Sequence, residues 1–494
     1  MDELEEVGRT ADAIRADLES AFVRGLATST PNDRKGLVVR TETWEKAAAH
    51  HVATRLRAAL RAADADAKDA AQKFLSAYTS LHAFERVLSL EVAKLAWAGR
   101  RAALDAEQDE DEEAKAAPVP AAQAQAPATM PIDDPKGAAD LTTELAKLIE
   151  DLVRTGLTSA TAATRTKLDA AFKEASRRKL LRLGASLRYV NEEVGRFLSD
   201  DGSFASRRYA FFLHRSWLLA RGTKFALTKG DTRLVASLSA GGGPPPKPVG
   251  TLGVVTIGIQ KRVTASLAAF DFRLRVITSP TSELLGKALV FSLVFARKAE
   301  VPAEAYLHLP QPQKYAPKLF RNKTVITVTD AAMLPDDRGG GRLVLGPKST
   351  VTEGKRFDGW GEHYGWDPDG AEARVLSHAP SPLDLAVEMQ EEVVLDDFAV
   401  LPGPEETLRV HGAGLSMRIV LPSGDAGKEL QKELEAGARK KKKQAPHPLF
   451  GTVHYEFGDI VFSPLSFLEE DGPRFLTLSD ENINLAALLG SLNL

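Results

Sequence analysis

Apolar residues recur at helical spacing through the first half of the chain and alternate with polar ones through much of the second. Val52, Leu56 and Leu60 form one stripe; Phe74, Leu75, Tyr78 and Leu81, then Phe84, Val87 and Leu88, form another. Positions three and four apart share one face of a helix, and the abundant alanine favours that state. Residues 1–104 therefore read as helical. The pattern resumes at Asp140, read as an N-cap, with Leu141, Leu145, Leu148, Ile149 and Leu152. Leu168, Phe172, Leu183, Leu187, Val190, Val194 and Phe197 continue it as a second long run. A third segment, Tyr209 to Leu227, carries Phe211, Phe212, Trp217, Leu218 and Leu219, and Gly222 reads as its cap. Two or three amphipathic helices alone bury little apolar surface. Residues 138–236 are therefore expected to pack with 1–104.

Between these helical stretches the periodicity lapses. Seven of the nine residues Asp105 to Glu113 are acidic, and Ala114 to Ala128 is built from Ala, Pro, Gln, Lys and Val. Such composition does not repay the entropy of ordering, so 105–137 is expected to be a disordered linker. Gly241-Gly242-Gly243-Pro244-Pro245-Pro246 suits neither helix nor strand and places a second linker at 237–249.

Beyond it the period changes to two. Leu252 to Ile259, Val263 to Ile277, Ala288 to Phe295 and Thr324 to Thr329 are rich in Val, Ile, Thr and Phe. Phe270-Asp271-Phe272-Arg273-Leu274-Arg275-Val276 alternates strictly, which predicts a half-buried strand. Further strands are expected at 342–345, 393–400, 408–421, 452–462 and 474–478. No long helix separates them, so antiparallel pairing in a sandwich or barrel-like arrangement over 250–494 is expected rather than a doubly wound parallel sheet. Two insertions interrupt this half: an irregular one at 352–384, and 425–448, a short charged helix ending in Arg439-Lys440-Lys441-Lys442-Lys443. The fold class is α+β, an N-terminal helical bundle followed by a β-rich domain.

Composition narrows the chemistry. Hydrophobic residues make up 44% of the 494, enough for a substantial core, and a net charge of −3 points to no dedicated nucleic-acid or membrane protein. The chain has no cysteine, which removes disulfides, thiolate metal sites and cysteine nucleophiles. Met1-Asp2-Glu3-Leu4-Glu5-Glu6 is acidic where a signal peptide is basic, and no apolar run reaches the roughly 18 residues of a membrane span. A cytoplasmic protein is expected, and the wealth of Ala, Arg and Gly suggests a bacterium.

Several motifs bear on function. Gly341 to Ser349 approaches a phosphate-binding loop, but Pro347 removes an amide donor and 342–345 reads as strand. In the insertion, Phe357, Trp360, Tyr364 and Trp366 crowd into ten residues. Aromatics on a loop can anchor a partner or pin the loop to the sheet; Trp360, Tyr364 and Trp366 are the candidate binding residues here. Glu362, His363, Asp367 and Asp369 are the densest set of metal-ligand types, against which Asp367-Pro368-Asp369-Gly370 is also a turn sequence. No motif calls for a cofactor. Residues 140–240 carry 18 Lys and Arg against 11 acids, with Arg177, Arg178 and Arg182 at the centre of the surplus; such clusters neutralise phosphates or meet acidic partners.

Three function classes follow. The first is a non-enzymatic interaction or scaffold component of an intracellular bacterial multi-protein assembly, with other proteins as partners. The second is a nucleic-acid-associated protein using the basic helix 165–188 and the lysine run 440–443. The third is an enzyme of unfamiliar type with its site in 352–384.

Overall fold

The structure is a computed structural model that describes residues 2–47, 50–107, 132–202, 204–240, 246–264, 267–298, 301–336, 340–379, 381–383, 390–403, 407–422, 424–438, 447–456 and 459–478. Most of the segment 105–137, the stretch 241–245 and the lysine run 440–443 lie outside the described residues. The chain divides into two units. One comprises Met1–Val92, Gln123–Gly243 and Ala379–Leu385; the other comprises Ala93–Ala122, Pro244–His378 and Ala386–Leu494. The architecture is α+β, helices first and sheets after.

The first unit is helical. Its elements are α1 (Asp2–Arg24), α2 (Lys35–Ala47), α3 (His50–Asp64), the start of α4 (Ala70–Glu107), α5 (Pro135–Thr155), α6 (Ala162–Arg177), α7 (Leu181–Leu198), α8 (Ser206–Lys229) and α9 (Thr232–Ala240). The predicted stripes face one core, in which Val52, Leu56, Phe74, Leu75 and Leu81 are fully buried with Ile14, Phe22, Ile149, Leu187, Val190 and Leu213. Val87, counted in the same stripe, is 49% exposed. Helix α1 packs on α5 and α8, and α7 lies between α6 and α8.

Three boundaries differ from expectation, each for a local reason. Helix α5 starts at Pro135 rather than after Asp140, because the Asp134 carboxylate accepts the Gly137 N–H at 2.9 Å and Pro135 presets the first turn. The run from Leu168 to Phe197 is two helices, broken where Lys179 takes φ 63°. Gly222 caps nothing; α8 continues to Lys229 and Gly230, at φ 68°, closes it. Gly222 instead lets α9 approach, since a Cβ there would lie 3.2 Å from Leu238 Cδ1.

In the second unit a closed five-stranded barrel runs β1 (Lys247–Val263), β2 (Leu267–Thr278), β3 (Ala288–Ala296), β5 (Gly341–Arg356), β4 (Thr324–Pro335). A seven-stranded sheet runs β6 (Glu391–Leu395), β10 (Leu449–Glu456), β11 (Asp459–Glu469), β9 (Leu415–Ile419), β8 (Leu408–Gly412), β7 (Phe398–Pro402), with β12 (Gly472–Phe475) paired to β11. Pairing is antiparallel except between β3 and β5, which closes the barrel, and between β9 and β11. Helix α11 (Asp425–Ala438) packs on β7. The insertion is more regular than its composition suggests: its first residues extend β5, and Pro368–Ser377 forms α10.

The barrel interior is aromatic. Phe320 sits 5.0 Å from Phe272 and 5.2 Å from Phe291, ring centre to ring centre. The outside of the barrel is also covered where the sheet lies on it. Val255 and Ile257 of β1 meet Val394, Phe450 and Leu465, with Trp360 in the same cluster.

Strand β2 is the main departure from the alternation rule, because both of its faces are buried. Phe270, Phe272, Leu274 and Val276 fill the barrel, and Asp271, Arg273 and Arg275, only 4–6% exposed, lie on the other face. Charged residues tolerate such burial only when paired; Arg262 of β1 pairs with Asp271 at 2.6 Å, and β6 supplies the partner of the two arginines, described below.

At Gly258 the ladder of β1 shifts register, and a Cβ there would stand 2.5 Å from the Phe450 ring. Phe450 is fully buried and has no room to retreat. Gly258→Ala is therefore expected to destabilise the protein by about 1–3 kcal/mol, measured as a lower denaturation midpoint of the β signal. Trimming the ring with Phe450→Leu should recover part of that loss in the double variant.

Candidate functional site

Above the charged face of β2 the second unit holds a cleft of about 200 Å³. Its floor is two ion pairs. Arg275 Nη2 lies 2.9 Å from Glu392 Oε2, and Arg273 Nη1 is 4.0 Å from the other oxygen. From α10, Arg374 donates through Nε and Nη2 to the two oxygens of Glu391, each at 2.9 Å. Glu391 and Glu392 are neighbours on one strand, so their side chains leave opposite faces. One is claimed by α10 and the other by the barrel.

Trp366 forms a wall, with its ring centre 6.4 Å from that of Trp97 and the Arg100 guanidinium 5.8 Å from both. Trp97 is buried and donates to the Tyr455 hydroxyl at 3.3 Å. The rim is exposed and carries Gly286, Lys287, Gly365 and Asp367. Asp367 caps α10 by accepting the Gly370 N–H at 2.9 Å, so the Asp-Pro-Asp-Gly sequence opens a helix instead of only turning the chain. Among the described residues Lys287 makes no ion pair.

The residues singled out in the sequence are dispersed. Trp366 and Asp367 line the cleft. Trp360 is fully buried between barrel and sheet. The Tyr364 hydroxyl donates to the Glu469 carbonyl at 3.0 Å, and burial pushes its pKa up. Glu362 is exposed, and the His363 ring lies tilted against Phe357 with centres 5.5 Å apart, its pKa lowered chiefly by burial. Asp369 stands 3.8 Å from Arg100. No group of three or more metal-ligand side chains gathers among the described residues. The stretch from Gly341 to Ser349 lies within β5, where the Ser349 hydroxyl donates to the Asp330 carbonyl at 2.8 Å.

The basic helix surface is occupied by acids of its own unit. Arg177 donates to both oxygens of Glu174 at 2.7 and 2.6 Å. Arg178 reaches Glu174 and Asp134, both at 2.8 Å, and Lys179 reaches Asp133 at 2.9 Å. The two guanidiniums hold the Glu174 carboxyl down at about 2. Arg182 donates to the Ser237 carbonyl at 3.0 Å. Sequence reasoning passed over Arg275, Lys287, Arg374, Glu391 and Glu392. The available signal was that the polar positions of β2 hold arginine, and that Glu391-Glu392 opens the apolar run Val393-Val394-Leu395.

The helical unit has a second polar cluster. Arg15 lies 3.0 Å from Glu85 and 3.3 Å from Glu19, and Tyr78 donates to Glu19 at 3.3 Å. Burial pushes both carboxyls up to about 7, against the pull of Arg15. His82 and His214, with ring centres 5.1 Å apart, are driven the other way by burial, His82 to about 3.

No protein-family model matches this chain, and comparison with curated proteins gives no match. No helix among the described residues is long and apolar enough to cross a membrane.

Two expectations follow. Glu392→Ala would remove the carboxylate that neutralises the buried Arg275, a loss of about 3–5 kcal/mol. Urea denaturation followed in the β signal measures it. In the helical unit, the contribution of Glu19 and Glu85 is full below pH 4.5 and is lost as pH rises through about 7. That of His82 is full above pH 6.5 and is lost on acidification toward about 3. Between pH 6.5 and about 7 only the carboxyl effect operates, so helix stability should fall there and level off above it. Amide exchange in α1 and α4 reads that slope, and Glu85→Gln should flatten it.

Proposed function

We propose that this chain is a non-enzymatic interaction protein, a scaffold component of an intracellular bacterial multi-protein assembly, and that the cleft over β2 is a point of partner contact. The observation that carries this reading is the locked floor of the cleft. Both oxygens of Glu391 are spent on Arg374, and Glu392 is held by Arg275. A carboxylate clamped in this way is poorly placed to shuttle a proton, since a general base needs a free lone pair aimed at its substrate. The same clamping fixes shape and charge, which is what recognition requires.

The half-open form of the cleft agrees with this. Small-molecule sites bury most of their ligand in pockets of roughly 300–1,000 Å³. This cleft is smaller, and its rim of Gly286, Lys287, Gly365 and Asp367 is exposed. Such a shape suits one group projecting from a larger partner. Arg177, Arg178 and Lys179, which would serve a nucleic-acid reading, already face Glu174, Asp134 and Asp133.

The test is to tag the chain in its native host, purify it at low salt, treat it with nuclease and weigh the intact complexes. A partner protein at fixed stoichiometry that survives nuclease is expected. Nucleic acid that leaves steeply as salt rises, with no partner protein, would overturn the reading.

A further inference from the structure

We infer that β3 pairs with the β3 of a second copy of this chain, the two strands running antiparallel across a two-fold axis at Val294. The contact uses the end of β3 remote from the cleft and does not rest on the interaction reading above.

The two edges of β3 are not alike. On one side the whole strand is in register with β2, from Ala288 opposite Arg275 to Ala296 opposite Leu267. On the other, β5 reaches only Leu289 and Val290. Opposed residues of an antiparallel pair alternate between bonded and unbonded. The Val276 N–H donates to the Lys287 carbonyl and the Gly286 N–H to the Val276 carbonyl. The bonded pairs that follow are therefore Leu274 with Leu289, Phe272 with Phe291, Phe270 with Leu293 and Ala268 with Phe295. The amides and carbonyls of Ser292, Val294 and Ala296 point the other way, beyond the end of the seam with β5. Among the described residues no hydrogen bond meets them. The Lys298 amide, next in that series, donates to the Tyr306 hydroxyl at 2.7 Å. The chain that follows bonds to itself and to β5, the Gln311 N–H to the Tyr315 carbonyl and the Gln313 amide to the Gly346 carbonyl.

Open strand edges are ordinarily guarded against another chain by charge, proline or a bulge. β5, past its seam with β3, carries Lys348, Lys355 and Arg356 and has Pro347. β7, at the edge of the sheet, ends in Pro402. β3 reads Ala-Leu-Val-Phe-Ser-Leu-Val-Phe-Ala, without charge, proline or glycine. Val294 is 64% exposed, whereas Ala269, opposite it on β2, is 5% exposed. The cover over the outer face of the barrel thus ends between these two strands.

The lack of charge points to a second copy as the occupant. Across a two-fold axis a strand meets itself, so a charge beside the axis would oppose its own like. A foreign strand is ordinarily specified by complementary charge, and β3 offers none. With the axis at Val294, that valine faces its symmetry mate, and Ser292 faces the Ala296 of the second copy. Each opposed pair exchanges both of its N–H···O bonds, so all three open residues are satisfied. The far edge of β3 is already taken by β2, so association closes at two copies.

The experiment is sedimentation equilibrium of the full chain over a concentration series, with amide exchange read at the same concentrations. The mass is expected to climb from one copy to two and stop there. The Val294 and Ala296 amides should exchange more slowly as it climbs, while those of Leu293 and Phe295, already bonded to β2, stay unchanged. Val294→Lys sets two ammonium groups on the axis and Val294→Glu two carboxylates, and each should weaken association about tenfold or more. Position 294 is exposed, and circular dichroism checks that both variants keep the fold. Mixed in equal amounts, the two variants should pair with one another. A wild-type chain that stays monomeric at every concentration would overturn the inference. Growth beyond two copies would overturn it as well, since it marks a head-to-tail contact. So would a dimer that survives both substitutions, or variants that stay apart when mixed.

Discussion

Burying charge on the outside of a barrel is tolerated only if an opposite charge is buried with it, and the second unit is organised around that requirement. Asp271, Arg273 and Arg275 are covered by other parts of the chain. Desolvating two guanidiniums side by side would be prohibitive without partners. The sheet meets the demand with Glu392, and Gln390 accepts from Arg273 at 2.5 Å. Glu391, facing the other way, would then be a buried carboxylate of its own, and α10 supplies Arg374 for it. One row of charges on β2 thus fixes the strand beside it and the helix beyond. The cleft is what remains where that layer reaches solvent.

The apolar part of the same interface works by shape. Val255 and Ile257 present a smooth face to Phe450 and Leu465, and Gly258 removes the one side chain that would hold the ring away. The Ser466 hydroxyl donates to the Ile257 carbonyl and that of Thr477 to the Ile259 carbonyl at 2.5 Å. These bonds tie two hydroxyl side chains, one on β11 and one just after β12, to the β1 backbone. Packing sets how closely the layers approach, and the ion pairs set their alignment, because buried opposite charges tolerate little displacement.

Much of the fold was legible in the sequence because its cause is local. Stripes such as Val52, Leu56 and Leu60 face the helical core they imply, and the strand-rich runs after residue 250 form strands. The failures share a different cause. Whether Arg273 faces water or Glu392 depends on a strand more than a hundred residues away, so the alternation of β2 could reveal two faces without saying what covers the polar one. Asp367-Pro368 and Asp134-Pro135 are chemically the same signal, an acidic cap before a proline, and both begin helices. Turn and helix start share that grammar until the following residues choose. The candidate site was half visible: its aromatic wall stood out, whereas its charged floor is assembled from three separated segments.

The barrel is closed unevenly. β2 pairs with β1 along nearly its whole length, but β3 and β5 meet only at Leu289 with Gly341 and Val290 with Arg342. Beyond that short seam the chain between β3 and β4 folds inward, placing Tyr306 and Phe320 against Phe295, Phe272 and Phe291. Aromatic side chains from outside the ladder thus fill the cylinder against β2 and β3. Joining strands so distant in sequence costs loop entropy that two residue pairs recover poorly. The seam, two residue pairs long, is accordingly the place where the barrel would part first.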